Sequence, residues 1–66
     1  MMVNGSEESL SQGDMTLERF LEHKGLHPGS VVVERNGEVV ERSRFGAVTL
    51  SETDKLEILR FVGGGC

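Results

Sequence analysis

Two valine-rich runs joined by an Asn-Gly pair are the feature that most constrains the fold of this chain. Residues 31–35 and 38–41 flank Asn36-Gly37, and both runs are rich in β-branched side chains. An Asn-Gly pair in this setting is the strongest short-range signal for a β-hairpin, because both residues tolerate the positive φ angles of a type I′ turn. The predicted register pairs Arg35 with Glu38 and Val33 with Val40.

A second pattern predicts one helix. Leu17, Phe20 and Leu21 recur at the spacing of a single helix face. Thr16 is a suitable N-cap, because its hydroxyl can accept a hydrogen bond from a first-turn amide. Gly25 is suited to the left-handed residue that ends a helix. We expect one helix of about ten residues, with its apolar face against a sheet.

The N-terminal segment predicts a second, weaker hairpin. Residues 1–3 are apolar and precede Asn4-Gly5, another pair that favours a tight turn. Residues 6–12 are polar, and they either return as a weak strand or remain a loop. Residues 13–16 are expected to break the chain ahead of the helix.

The C-terminal segment predicts the last strand. Residues 42–48 are expected to be irregular, with Phe45 as an anchor, and residues 56–62 are rich in Leu, Ile, Val and Phe. The predicted order is β-β-α-β-β-β. We therefore expect an α+β fold, with a mixed sheet of four to five strands and one helix on one face. Residues 1–62 are predicted to form a single domain.

Alternation along the last strand predicts an exposed apolar patch. Leu56 and Ile58 share one face, and Leu59 and Phe61 share the other. If the first pair packs beneath the helix, the second pair lies on the uncovered face, where an apolar patch indicates a protein-binding surface. The other interpretation is that the sheet curls over Leu59 and Phe61 and buries them. The residues assigned to partner binding are Leu59, Arg60, Phe61 and Val62.

Composition limits the classes of function. The 66 residues include eleven acids against seven Lys and Arg, a net charge of −4, which argues against nucleic acid or an anionic membrane as the partner. A chain of this size buries only about 60% of its unfolded surface, so an internal catalytic cleft is not expected. A single cysteine excludes an internal disulfide, and with no visible secretion signal or membrane span we expect a cytoplasmic protein.

Metal and acid–base sites are also not expected. His23, His27 and Cys66 lack a further cysteine or carboxylate at ligand spacing, so exposed histidines are the simpler interpretation. Glu34 and Glu41 supply carboxylates, but a catalytic pair needs a cleft. We interpret them as part of a solvated face.

The chain ends in three glycines and a cysteine. Residues 63–66 are predicted to form a flexible tail, because glycines have no Cβ with which to pack. Such a tail suits a partner whose narrow active-site channel must receive the end of this chain. The alternative interpretation is a frayed terminus or an expression remnant.

Matches to one family run through nearly the whole chain. They are Val3-Asn4-Gly5, Thr16-Leu17, Phe20-Leu21, residues 33–40 followed by Arg42, Asp54 ahead of Leu56-Glu57-Ile58, and residues 60–65. In this order they resemble the ubiquitin-like β-grasp sulfur carriers, above all those of thiamine biosynthesis. The specificity lies in the order of the motifs, since Asn-Gly hairpins and Gly-rich tails are each common.

The resemblance implies a protein substrate and not an enzyme. An adenylating enzyme of the ubiquitin-activating type would use ATP to activate the terminal glycine carboxylate, and sulfur would then replace AMP to give a thiocarboxylate. In the thiamine branch, thiazole synthase would take that sulfur for the thiazole ring. No tightly bound cofactor is implied. The carried sulfur would be attached at Gly65, with Gly63 and Gly64 giving access.

Cys66 departs from the family pattern, whose functional end is a free glycine. A peptidase could remove Cys66 and leave Gly65 as the terminus. Cys66 could instead be an expression remnant or the edge of a longer tail, or it could carry sulfur itself as a persulfide.

Other functions of the same fold remain open at this point. Sister carriers serve molybdopterin synthesis, amino-acid synthesis and tRNA thiolation. A ubiquitin-like tag or a plain protein-interaction module would also fit the pattern. Loss of function on Gly65→Ala with an intact fold would favour a carrier or a tag.

Overall fold

The computed structural model describes residues 1–10 and 15–61. Seven strands and one helix are present in this part of the chain. In order they are β1 (Met2–Val3), β2 (Ser6–Glu7), β3 (Met15–Thr16), α1 (Leu17–His23), β4 (Val31–Arg35), β5 (Glu38–Val40), β6 (Thr49–Leu50) and β7 (Lys55–Arg60). Two short 3₁₀ turns, Pro28–Ser30 and Arg42–Arg44, precede β4 and follow β5.

The main sheet has five strands in the order β2-β1-β7-β4-β5. Strands β1 and β7 pair in parallel, and the other neighbours pair antiparallel. The last strand of the described chain therefore lies in the middle of the sheet, between the first strand and the central hairpin. The predicted α+β class and the mixed sheet with one helix on one face are confirmed.

Both predicted hairpins form around their Asn-Gly pairs. Asn4 and Gly5 have φ angles of 51° and 84°, and Asn36 and Gly37 have 53° and 88°, the positive values that a type I′ turn requires. In the second hairpin Arg35 faces Glu38 and Val33 faces Val40, so the predicted register is confirmed. In the first, the weak return strand is limited to β2.

A single apolar core lies between the helix and one face of the sheet. Leu17 and Leu21 of α1 are fully buried against Val33 of β4 and Leu56 of β7. Phe45 is also buried, as the predicted anchor of the irregular segment. Packing of this kind supplies most of the stability of a short helix, because seven residues are too few to be helical alone in water.

The helix has the predicted caps but is shorter than expected. Thr16 Oγ1 accepts a hydrogen bond from the backbone N–H of Arg19 at 3.2 Å. At the other end Gly25 has a φ angle of 74°, and the N–H of Leu26 donates to the carbonyl of Leu21 at 2.9 Å, which is the closing bond of a Schellman motif. The prediction of about ten residues was wrong because the capping residues lie outside the seven helical ones.

Strands β3 and β6 were missed. They form a separate two-stranded antiparallel sheet in which Met15 faces Leu50, and both side chains are buried. The predicted chain break at residues 13–16 was therefore wrong for Met15 and Thr16, while residues 11–14 lie outside the described part. The N–H of Leu17 donates to the carbonyl of Val48 at 2.8 Å, so tertiary contacts fix these short strands.

The domain boundary and membrane-spanning helices were also considered in the sequence. The predicted boundary between domain and tail, at residues 62 and 63, lies outside the described residues. Within the described ranges, no helix is both long enough and apolar enough to cross a membrane.

Candidate partner-binding site

The two faces of β7 differ as the alternation predicts. Leu56 and Ile58 are buried under the helix, whereas Leu59 is 62% exposed and Phe61 is 60% exposed on the uncovered side. The interpretation in which the sheet curls over Leu59 and Phe61 is therefore wrong. Exposed side chains of this size beside the chain end are available to contact a partner.

Neighbouring strands extend this surface. Val32 of β4 lies directly opposite Leu59, and Val39 of β5 is 63% exposed on the same side of the sheet. Opposed residues in a strand pair have Cβ atoms within contact distance of each other. We use the term open face for Val32, Glu34, Val39, Glu57, Leu59 and Phe61. The apolar members of the open face lie mainly toward the end of β7.

The contributions of β4 and β5 were not predicted, although the sequence held the signal. The hairpin register places Val40 opposite Val33, and Val33 belongs to the core. Since successive side chains in a strand point to opposite faces, Val39 must lie on the open face. Applying the register to both faces would have assigned Val39 and Val32 to the partner-binding set.

Two carboxylates lie at the centre of the open face. Glu34 and Glu57 are directly opposite each other in the pairing of β4 with β7, and neither forms an ion pair with another residue of the described ranges. Like charges in directly opposed positions are unfavourable in the free protein. A basic side chain on a partner would relieve this repulsion, so the open face is best suited to a basic protein surface.

Arg60 lies apart from the other predicted partner-binding residues. It is exposed and faces Val31, a core residue, on the helix side of the sheet. Leu59 and Phe61 project from the opposite side. The structure thus brings Leu59 and Phe61 together and separates Arg60 from them. The remaining predicted residues, Val62, Gly63, Gly64, Gly65 and Cys66, lie outside the described residues.

The end of β7 is held from both sides. On the β4 side, the N–H of Phe61 donates to the carbonyl of Ser30 at 2.8 Å. On the β1 side, the side-chain amide of Asn4 makes two hydrogen bonds with the backbone of Ile58. The role of Asn4 was missed because its sequence signal, an Asn-Gly pair, predicts a turn and carries no information about a distant strand.

A buried carboxylate organises the other end of β7. Asp54 is 5% exposed and accepts hydrogen bonds from Arg35 Nε at 3.0 Å, Asn36 Nδ2 at 3.1 Å and the backbone N–H of Ser51 at 2.9 Å. Burial acts to raise the pKa of Asp54, but the bonds from Arg35, Ser51 and Asn36 outweigh it and hold that pKa below its ordinary value. This cluster ties the central hairpin to the turn before β7. The sequence marked Asp54 as a family match but did not indicate that its carboxylate is buried.

One of the two histidines, His27, has a local role in the structure. His27 Nδ1 accepts a hydrogen bond from the backbone N–H of Gly29 at 2.9 Å, in the turn that leads to β4. Across residues 1–10 and 15–61, no three His, Cys, Asp or Glu side chains are grouped as metal ligands would be.

Comparison with known proteins decides the family. A model of the ThiS family matches residues 1–65. The chain belongs to the ThiS family. It is 34% identical over 65 residues to the sulfur carrier protein ThiS of Bacillus subtilis (strain 168), and the match covers 98% of each chain.

Solved ThiS structures share the fold. The crystal structure of the thiamine biosynthesis protein ThiS from Geobacter metallireducens superposes with a TM-score of 0.81 at 35% identity, covering 97% of this chain and 96% of that one. A solution structure of a thiamine biosynthesis protein from the same organism gives a TM-score of 0.79 at 34% identity, covering 98% of this chain and 86% of that one. The resemblance to the β-grasp sulfur carriers of thiamine biosynthesis is confirmed.

Two longer relatives carry a different name. Proteins named thiazole synthase, from Paramagnetospirillum magneticum (strain ATCC 700264 / AMB-1) and Magnetococcus marinus (strain ATCC BAA-1437 / JCM 17883 / MC-1), are 42% identical over 65 residues and 44% identical over 63 residues. These matches cover 98% and 96% of this ThiS-family chain. The chain spans about a fifth of the length of these relatives, since the matches cover 20% and 19% of them.

Proposed function

We propose that this ThiS-family chain is a sulfur carrier for thiamine biosynthesis and a protein co-substrate, not a catalyst. The observation that carries the proposal is the family match over residues 1–65, together with the end-to-end similarity to the sulfur carrier ThiS of Bacillus subtilis. The open face supports it further, because a protein that acts through partners needs an exposed surface for them.

The proposed chemistry takes place at the carboxylate of Gly65. A partner of the ubiquitin-activating type joins this carboxylate to the α-phosphoryl group of ATP and releases pyrophosphate. AMP is then a good leaving group, and hydrosulfide that attacks the carbonyl carbon expels AMP and leaves a thiocarboxylate on the carrier. ATP is consumed by the partner, so the carrier itself needs no bound cofactor. Gly63, Gly64 and Gly65 serve access, because no side chain blocks their entry into a narrow channel.

We propose that a peptidase removes Cys66 before activation. The family match ends at Gly65 and leaves Cys66 as the residue beyond it, which supports Gly65 as the functional terminus. A persulfide on Cys66 is the competing chemistry, and a longer native tail is the other alternative. Each predicts a different mass for the C-terminal fragment.

Thiazole synthase is the proposed acceptor of the sulfur. This chain resembles about a fifth of two proteins that are named thiazole synthase, which favours the thiamine branch over molybdopterin synthesis, amino-acid synthesis and tRNA thiolation. The adenylating enzyme and the synthase would both dock on the open face, with basic side chains near Glu34 and Glu57 and apolar ones near Leu59 and Phe61.

The test is an intact-mass measurement of the chain purified from its native host, with fragment spectra over residues 60–66. We expect a chain that ends at Gly65, partly with one carboxylate oxygen replaced by sulfur. The matched control is a host strain that lacks the adenylating enzyme, in which the sulfur should be absent and the Gly65 end retained. A chain that always ends in unmodified Cys66 would contradict the carrier proposal and favour a plain interaction module.

A further inference from the structure

The two Asn-Gly turns each use the asparagine side chain to hold β7. Asn4 Oδ1 accepts a hydrogen bond from the N–H of Ile58 at 2.7 Å, and Asn4 Nδ2 donates to the carbonyl of Ile58 at 3.1 Å. Asn36 Oδ1 accepts from the N–H of Lys55 at 3.0 Å, and Asn36 Nδ2 donates to Asp54 Oδ1 at 3.1 Å. The turns are alike in φ and in side-chain bonding, but Asn36 acts at the first residue of β7 and Asn4 acts at the fourth of its six residues.

The side chain of Asn4 takes the place of the backbone hydrogen bonds that β1 is too short to make with Ile58. The N–H of Asn4 donates to the carbonyl of Leu56 at 2.9 Å, which is the last backbone bond of this strand pair on that side. The chain then turns at Gly5, so no backbone of β1 lies beside Ile58. The side-chain amide has an acceptor oxygen and a donor nitrogen. These two atoms bond to the N–H and the carbonyl of Ile58, as the backbone of a longer β1 would.

The hydrogen bonds from Asn4 fix the second half of β7, which leads to the proposed tail. Ile58 precedes Gly65 by seven residues, and Phe61 is bonded on the other side of the strand to Ser30. With both bonds in place, the strand has a defined direction at the last described residue. Without Asn4, the β1 side of Ile58 would bond to water, and the end of β7 would sample more orientations.

We propose that Asn4 is a positioning residue for activation of the terminal glycine. Its amide fixes the direction in which the chain leaves the sheet, and so raises the fraction of docked complexes in which the carboxylate reaches ATP. This inference rests on the proposed carrier function. Asn4 acts through the backbone of Ile58 and does not itself touch substrate or cofactor.

Asn36 provides a matched control within the chain. Asn4→Gly and Asn36→Gly both retain a residue that tolerates the observed φ angles of 51° and 53°. Each substitution removes two side-chain hydrogen bonds next to β7. A purely structural role therefore predicts similar effects on the carrier reaction for both variants, whereas a positioning role predicts an effect for Asn4 alone.

The experiment measures steady-state adenylation by the ubiquitin-activating-type enzyme of the same organism, with ATP. The carrier is the chain ending at Gly65 or at Cys66, whichever form of the wild type the enzyme accepts, and the variants are prepared in that same form. All variants are assayed well below their unfolding temperatures. We expect Asn4→Gly to lower kcat by about tenfold while KM stays within about twofold, because docking is preserved and placement of the carboxylate is not. Asn36→Gly should leave both constants near the wild-type values.

Amide hydrogen exchange on the carrier alone is the second readout. Asn4→Gly should lower the protection of Ile58 by about tenfold or more, whereas Asn36→Gly should lower the protection of Lys55 and leave Ile58 unchanged. If Asn4→Gly does not fold, Asn4→Asp replaces it, because the carboxylate still accepts from the N–H of Ile58 but faces the Ile58 carbonyl without a donor.

The outcomes separate this inference from the proposed function. Equal loss of kcat in both variants, or no loss in either, overturns the positioning role while the carrier function stands. A wild-type chain that is not adenylated in any terminal form overturns both. A selective loss of kcat in the Asn4 variant, with lost protection at Ile58, supports both.

Discussion

Leu17 and Leu21 illustrate how individual side chains hold this small domain together. Both lie on the buried face of α1 and are fully excluded from solvent. Each contacts a core shared with Val33 and Leu56 from the sheet. Because a domain of this size has a small net stability, the loss of one such side chain removes a large part of it.

Leu17→Ala is predicted to lower the free energy of unfolding by about 2–4 kcal/mol, through lost apolar burial and the cavity that remains. Denaturant-induced unfolding measures the change, with the exposed Val39→Ala as the control. A decrease smaller than about 0.5 kcal/mol for Leu17→Ala would mean that the helix packs differently from the structure.

Asp54 makes stability depend on pH. Its pKa in the folded chain lies below the ordinary value of 3.8, so folding favours the ionised form. The stabilisation is complete above the ordinary pKa and is lost as pH falls through the lower, folded value. The free energy of unfolding should therefore decrease as the pH is lowered from about 5 toward 2.

Asp54→Asn isolates this contribution. The variant should be less stable than the wild type at pH 7 by about 1–3 kcal/mol, because Arg35 loses its buried charged partner, and the difference should shrink at acid pH. Unfolding curves from pH 7 to pH 2 check this, with Glu22→Gln, an exposed change on the helix, as the control. A difference that does not vary with pH would contradict the assigned role of the Asp54 carboxylate.

Among the elements, the two hairpins were the most predictable. Their geometry depends on adjacent residues, since Asn-Gly sets both the turn type and, for Asn36-Gly37, the register of the flanking strands. Strands β3 and β6 were not predictable in the same way. A strand of two residues has no alternation to detect, and Met15 pairs with Leu50, a residue far from it in the sequence.

The open face yields a prediction at the same scale. Leu59→Ser should change the free energy of unfolding by less than about 0.5 kcal/mol, because the side chain is already exposed. It should weaken binding to the adenylating enzyme or to thiazole synthase by about tenfold. Calorimetric titration measures the affinity. Glu22→Ser, an exposed change on the helix, serves as the control and should bind normally.

Equal affinities for the Leu59 and Glu22 variants would show that the open face is not the docking surface.

The prediction of that face from sequence was incomplete for a clear reason. Alternation along β7 assigns Leu59 and Phe61 to one side, and the same rule assigns Arg60 to the other, but the partner-binding set was chosen by nearness to the tail. The bonds between Asn4 and Ile58 link residues 54 positions apart, and no local pattern reports such a contact.

For the molecule as a whole, the proposed function assigns folding to the domain of residues 1–62 and the reaction to the tail of residues 63–66. Gly64→Ala should leave the unfolding temperature unchanged, since residue 64 belongs to the predicted tail and not to the domain predicted over residues 1–62. It should abolish adenylation, because a Cβ next to the terminal glycine would collide with the walls of a narrow channel. Differential scanning calorimetry and an assay of pyrophosphate release check the two parts.

Ala47→Gly, a change in the loop before β6, is a suitable control for the Gly64 variant and should be adenylated normally. Retained adenylation of Gly64→Ala would contradict the threading argument. The role of the tail glycines stays a prediction from residue type, because these residues lie outside the described part of the chain.

The central position of β7 also has a consequence for how the molecule is made. A ribosome produces the β1–β2 and β4–β5 hairpins first, and each can form from contacts between neighbouring residues. Within the main sheet of the described residues, strand pairing joins the two hairpins only through β7, which is synthesised after both. Because distant pairings form only after the entropy of loop closure has been overcome, and an isolated hairpin is only marginally stable in water, the main sheet cannot be completed until residues 55–60 emerge. The strand that completes the sheet is thus the one that leads to the proposed reactive end, so a chain cut short by premature termination before β7 would lack both the finished sheet and the glycines.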